Sequence, residues 1–284
     1  MVIWAVLSSV IFVGSNIFIR FYLSGLHWLA LIWSRSLGAL ICLSLIVFFS
    51  TSWEVLLTYF VGIGNSPFLW ILTLTAGFLG IWGFIQAIKL LPLYLVIPFT
   101  TLNLVTVLVS HLQLNLPIQQ TQVAGVVLGS FGLFLLARSR ASSSDKKGWY
   151  WLFLCVISWG LAYPLSQPLI QSTSPIFFAS TMELSVFMGS TALLLPLNKI
   201  KRQLIFSTLP KPSYLGWMVS LLVLGVICDG IAREVVSPVS MLAFAGLSEM
   251  GVLIMGHFFF QERLKLRQWL GACLTFLALF LILA

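Results

Sequence analysis

Apolar residues occupy this chain in stretches of about twenty, the length an α-helix needs to cross a bilayer core. Ten such stretches follow one another between short polar, Pro or Gly interruptions: Ile3–Leu23, Trp28–Phe49, Phe68–Leu90, Leu93–Leu112, Gln119–Ala137, Trp149–Ile170, Pro175–Leu197, Tyr214–Ala232, Val239–Phe260 and Leu266–Ala284. Most connections are short, so no extramembrane domain fits. The longer ones are Ser50–Ser66, the Ser-rich Arg138–Lys147 and the basic Asn198–Pro212. The pattern predicts an all-α integral membrane fold of ten transmembrane helices.

The pattern also repeats. Sliding the chain by 146 residues puts Gly14 on Gly160, Pro92 on Pro238, His111 on His257, Gln122 on Gln268 and Gly125 on Gly271, and Leu133-Phe134-Leu135 on Leu279-Phe280-Leu281. The second spans need a shift nearer 148 for their charged residues to match, which implies a small gap in the loops. The expected organisation is a first five-helix repeat over 1–138, a Ser-rich basic linker over 139–147 and a second five-helix repeat over 148–284, together one compact unit. Five spans are odd in number, so the second copy enters the membrane with opposite orientation. Inverted repeats of this kind are how secondary transporters build a midplane site between two halves.

Composition agrees with the pattern. Of 284 residues, 60% are hydrophobic and only 8% charged, and the mean hydropathy is +1.07. A soluble domain needs about 25% charged residues, and disorder needs low hydrophobicity, so both are excluded. The net charge of +8 points to anionic lipid headgroups, and no basic stripe interleaved with aromatics suggests nucleic acid. Met1–Ile19 lacks the charged start of a cleavable signal and reads as a retained first helix. Cys42, Cys155, Cys228 and Cys273 lie apart inside apolar runs and read as small hydrophobes.

Lysine and arginine divide unevenly. The odd-numbered loops carry Arg20, Lys89, Arg138, Arg140, Lys146, Lys147, Lys199, Lys201, Arg202, Lys211, Arg263, Lys265 and Arg267, the other side carries Arg233, and Arg35 lies within a span. The positive-inside rule then makes the odd loops, 138–147 among them, cytoplasmic and both termini external, in a multi-pass cytoplasmic (inner) membrane protein.

Ionisable groups at membrane depth cost about 2.5–3.5 kcal/mol on insertion scales, so each one needs a reason. Glu249 lies roughly 16 Å past Pro238 along a helix, at the midplane, and its repeat mate is Asn103. The pair suits either a site that alternates between two faces, with Glu249 exchanging a proton, or interhelical hydrogen bonding alone. Arg35 and Glu183 lie at similar depth, roughly 12 Å from opposite faces, in equivalent helices of the two halves. They predict an ion pair across the repeat interface, acting as a static lock, a gate or an anchor for a zwitterionic substrate. Asn16 and Ser15, Gln86 and Trp82, and Trp159 and Tyr163 are candidate cavity-lining residues, each aromatic being equally explicable by packing. Pro98, Pro164 and Pro168 interrupt spans and read as hinges or static kinks. Asp229 and the adjacent Arg233-Glu234 lie toward the outer end of the eighth span, as an entrance or a solvated rim. His111 and His257 sit near opposite ends of their spans, so no shared metal site is expected. Gly77, Gly80 and Gly83 recur at helical spacing and permit close helix approach.

Several segments resemble the drug/metabolite transporter superfamily, EamA type. Ser237-Pro238, Leu247-Ser248-Glu249, Glu262-Arg263-Leu264 and Gln268-Trp269-Leu270-Gly271-Ala272 are similar to its ninth and tenth helices. Gly14-Ser15-Asn16, Ala87-Ile88-Lys89-Leu90-Leu91-Pro92 and Trp159-Gly160 resemble its first helix, its third-to-fourth junction and its sixth helix. The chain departs from that pattern at Met250, where Pro is usual, at Gln261, where Gly is usual, and at Leu116-Pro117, where Glu-Arg is expected. The resemblance implies efflux of small organic metabolites or amino acids; the polar inventory suits a small zwitterion or a cation, the inverted repeat suits alternating access, and the chain is expected as a monomer or homodimer. It also implies cytoplasmic termini, opposite to the charge count. No Gly-Lys phosphate loop supplies an ATP motor and no cofactor is expected, so protons or solute gradients would supply the energy. An intramembrane enzyme would need a nucleophile–base pair or metal cluster that the chain does not spell. The alternatives are a flippase for a lipid-linked carrier and a uniporter or exchanger without proton coupling.

Overall fold

The computed structural model describes residues 2–23, 25–92, 95–96, 99–100, 106, 109–110, 119–137, 146–234, 236, 241 and 265–283. Among them the chain is helical throughout: α1 (Val2–Phe18) continued by a π-helical turn (Ile19–Leu23), α2 (Trp28–Ser50), α3 (Trp53–Asn65), α4 (Pro67–Leu90), α5 (Gln120–Ala137), α6 (Lys146–Ser172), α7 (Pro175–Leu194), α8 (Lys199–Phe206), α9 (Pro212–Arg233) and α10 (Leu266–Leu283). By length and composition, α2, α4, α6, α7 and α9 can each cross a membrane. The fourth and ninth expected spans fall largely outside the described residues. Pro98, Asn103, His111, Glu249 and His257 lie outside them as well.

Two connections read as loops contain helices. Ser52 caps α3 by accepting a hydrogen bond from the Val55 amide, with Glu54 in the first turn, and Asn198 caps α8 through the Lys201 amide at 2.9 Å. A side-chain oxygen at the N-cap satisfies an amide that would otherwise lack a partner, and that local chemistry starts a helix without a long apolar run.

The helices pack as antiparallel partners: α1 with α9, α2 with α7, α4 with α6, and α5 with α10. Along α2 and α7, Trp33 donates to Thr191, Arg35 to Glu183, and Ser44 shares a hydrogen bond with Ser180, one number rising as the other falls. At α4 and α6, glycine removes side-chain bulk: a Cβ on Gly83 would lie 2.8 Å from the Cys155 amide nitrogen and the Trp151 carbonyl. The largest buried cluster joins Leu31 and Ile32 with Phe84, Ile85, Ala87, Ile88 and Leu91, and with Leu152, Cys155 and Met218. Large apolar side chains such as Phe48, Phe68 and Trp217 remain exposed on the outside, an apolar surface too extensive for water and suited to lipid. The ends of α1, α4 and α7 and the starts of α2, α6 and α9 share one face. Lys89, Lys146, Lys199 and Lys211 therefore lie there.

His27 organises part of that face. Its Nδ1 accepts the Leu29 amide at 3.2 Å as the N-cap of α2, and its own amide donates to Thr208 Oγ1 at 3.3 Å. The Lys89 ammonium donates to the neighbouring Leu26 carbonyl. Burial, and then the Lys89 charge, hold the imidazole below its usual pKa of 6.5. The unfolded chain therefore binds the proton first, so stability rises with pH through this window and is lost as pH falls below 6.5. Protonation would also remove the Nδ1 acceptor. The thermal midpoint is expected to drop between about pH 7 and pH 5. His27→Asn, which keeps an acceptor and does not titrate, should flatten that slope; an unchanged slope would refute it.

Candidate functional site

A cavity of about 270 Å³ opens between α1, α2, α4, α6, α7 and α9. The pairing of α2 with α7 brings Arg35 and Glu183 to its wall, where Arg35 Nη2 donates to Glu183 Oε1 at 3.0 Å. Both residues are buried, 8% and 3% exposed. The contact is single. Arg35 Nη1 and Glu183 Oε2 are buried and have no hydrogen-bond partner.

A second ion pair stands on α9. Arg233 Nε lies 2.7 Å from Asp229 Oδ2, one helical turn apart. Arg233 Nη1 donates to Ser166 Oγ on α6 at 2.8 Å, and its guanidinium carbon sits 3.9 Å from the centre of the Tyr163 ring. Ser166 in turn donates to the Tyr163 carbonyl at 2.7 Å. Arg233 thus pairs with Asp229 within α9 and reaches α6 through the Ser166 hydrogen bond and the Tyr163 ring face.

Of the residues the sequence proposes for the site, Asn16, Arg35, Trp159, Tyr163 and Glu183 line this one cavity. Gln86, Trp82 and Ser15 do not. Trp82 stacks on Trp28, ring centres 5.3 Å apart, and lies against Trp151 at 5.1 Å, so its face is occupied by packing. Pro164 and Pro168 do not interrupt their span: α6 runs unbroken from Lys146 to Ser172 through both. Each proline lacks an N–H, so the Gly160 and Pro164 carbonyls lose their intrahelical donor while the helix continues.

Asp229 and Arg233, in the last turns of α9, are not a solvated rim: their side chains are only 15% and 14% exposed, and both residues line the cavity. The available signal was their i,i+4 spacing, which lets opposite charges pair along one helix face. Ser8, Ser9, Thr100 and Ser166 also line the cavity. Small hydroxyls within apolar helices bond readily to the preceding turn, as Ser9 Oγ does to the Ala5 carbonyl at 2.9 Å, so sequence gives them little contrast.

The arrangement offers a small, partly open chamber with two fixed ion pairs and aromatic walls from Phe12, Phe84, Trp159 and Phe178. Such a lining is suited to holding a small solute. Residues 146–284 match the model of the EamA-like transporter family. A solved crystal structure shares the fold with a TM-score of 0.68 at 14% identity, over 98% of this chain and 94% of that one. No curated protein matches the sequence.

Proposed function

The second half of this chain, residues 146–284, belongs to the EamA-like transporter family, and from that premise we propose a proton-coupled secondary transporter that exports small organic metabolites by alternating access. Its cargo, on this reading, is amino acids or related zwitterions or cations. The chain itself is a multi-pass membrane protein of a family that moves small molecules. One observation carries the proposal: the cavity is walled by helices from both halves and holds a buried ion pair between α2 and α7. A polar chamber between two halves is where carriers that rock around a fixed site bind substrate.

Helix pairing supports two inverted five-helix repeats. Exchanging the halves turns the α1–α9 pair into α6–α4, while α2–α7 and α5–α10 map onto themselves. At the 146-residue offset the approach of Gly125 to Ala278 becomes that of Gly271 to Gly132, which is also made. Arg35 and Glu183, 148 apart, are each other's image. The face bearing Lys89, Lys146, Lys199 and Lys211 is assigned to the cytoplasm and both termini to the outside of an inner membrane, by the positive-inside rule. Glu249 and Asn103 are assigned to coupling, and Pro98, Pro164 and Pro168 to hinge motion.

Proteoliposomes test this. Pools of amino acids, amines and nucleosides are added to wild type and to Glu249→Gln, and proton movement is followed with labelled solute. Proton flux in wild type that vanishes in the variant is the expected result. Solute crossing without protons would make the chain a uniporter or exchanger and return Glu249 to a structural role. Silence in both assays would favour a flippase for a lipid-linked carrier.

A further inference from the structure

The two ion pairs of the cavity differ in how completely they are satisfied. Arg233 pairs with Asp229 at 2.7 Å, donates from Nη1 to Ser166 and lies over the Tyr163 ring, although its Nε is itself buried without hydrogen-bond geometry to a partner. Arg35 and Glu183 meet through one nitrogen and one oxygen only, and their remaining atoms, Nη1 and Oε2, are buried without partners. A buried charged donor or acceptor left unmade is costly, and here one of each belongs to a residue that lines the chamber. Only Arg35 and Glu183 leave an unpartnered atom on both the cation and the anion.

Charge narrows what completes it. Arg35, Glu183, Asp229 and Arg233 together give the described lining a formal charge of zero. A solute with net charge would leave that charge uncompensated in a poorly solvated chamber, whereas a net-neutral solute would not. Completing both free atoms takes an acceptor for Nη1 and a donor for Oε2, close together on one molecule.

We infer that Arg35 and Glu183 form a two-point recognition element for a net-neutral solute carrying an anionic and an ammonium group on one carbon, the anion on Arg35 Nη1 and the ammonium on Glu183 Oε2. The solute's apolar remainder lies against the walls made by Phe12, Phe84, Trp159 and Phe178. Arg233 holds α6 to α9 and is not a recognition residue. This assignment rests on the cavity being the transport site and deepens that reading: it selects zwitterions over cations and gives each charge its own residue.

Three probes of one carbon skeleton separate the contributions: leucine carries both charges, isopentylamine only the ammonium, and isocaproate only the carboxylate. Each is titrated against the purified full chain, with the thermal midpoint as the readout of binding. Leucine is expected to stabilise wild type at a concentration about tenfold or more below that needed for either analogue. Glu183→Gln should shift the preference toward isocaproate and Arg35→Gln toward isopentylamine. The double variant, which carries no unpaired charge, should remain folded and lose the discrimination. Equal binding of leucine and a single-charge analogue by wild type overturns the inference. So do single variants that keep the wild-type order. Where a single variant does not fold, the wild-type order and the double variant decide. The transport reading fails separately, if Ala179→Trp, which fills the chamber from α7, carries solute as wild type does. A net-charged solute that binds and crosses when leucine does neither overturns the inference and leaves transport standing.

Discussion

Gly83→Val is expected to separate α4 from α6 and to lower stability by about 3 kcal/mol or more, the upper range for overpacking a tight contact. The reason lies in what a Cβ would meet. Three atoms stand within 3.1 Å of it, the Trp151 carbonyl oxygen and the amide nitrogen and Cα of Cys155, and all belong to backbone. A side chain can rotate away from an intruding methyl, but a helix backbone can only translate. Translation here would disturb the cavity, because Gly77 and Gly80 lie on the same face of α4 and make room for Met182 and Trp159, both lining residues. Gly216→Ala in α9 is the control: nothing lies within 4 Å of its Cβ position, so alanine's better helix propensity should leave the midpoint unchanged or slightly raised. Thermal melting with size-exclusion elution in detergent distinguishes the two. Wild-type behaviour of Gly83→Val would mean that the close approach is not what holds these helices.

Asp229→Ala carries the second large expected effect, a loss of about 3–5 kcal/mol. Removing the carboxylate leaves the Arg233 guanidinium, 14% exposed, without its counterion at 2.7 Å. Ser166 and the Tyr163 ring remain, but neither supplies negative charge. The complementary result makes the test specific. Asp229→Leu combined with Arg233→Met replaces the pair by apolar volume and should recover most of the lost stability, since a buried pair exchanged whole for hydrophobes is often close to neutral. Equal destabilisation by the single and double changes would show that shape at this position matters rather than charge.

The Asp229 and Arg233 positions mark where reading along the chain stopped short. Their location near the end of an apolar run suggested water, because depth counted in residues measures distance along the membrane normal and nothing else. Whether the last turn of α9 faces outward or inward is set by its packing on α1 and by the approach of α6, which no count within α9 contains. Trp82 is the converse case: it carries the same polar-tipped signal as Trp159 and Tyr163, yet its ring turns toward Trp28 and Trp151. Arg35 and Glu183 were legible because depth was the decisive coordinate: two lone opposite charges at equal height in apolar helices have few alternatives to each other, and they meet at 3.0 Å. The short helices α3 and α8 had signals as well, in the caps Ser52 and Asn198, which a search for twenty-residue apolar runs passes over.

Sequence by itself determined that this is a helical chain of many membrane-length segments, where most of those segments begin and end, and which charges are too isolated in apolar surroundings to stand alone. Those properties follow from local quantities, namely transfer free energy per residue and the rise of a helix. Only the tertiary structure decided which face of each helix turns inward, that Asp229 and Arg233 share a chamber with Arg35 and Glu183, and that Arg35 and Glu183 keep a buried donor and a buried acceptor without partners. Rotation about a helix axis is fixed by the fit of neighbouring surfaces, and in a chain where nearly every face is apolar, hydrophobicity does not distinguish the face that packs from the face that meets lipid.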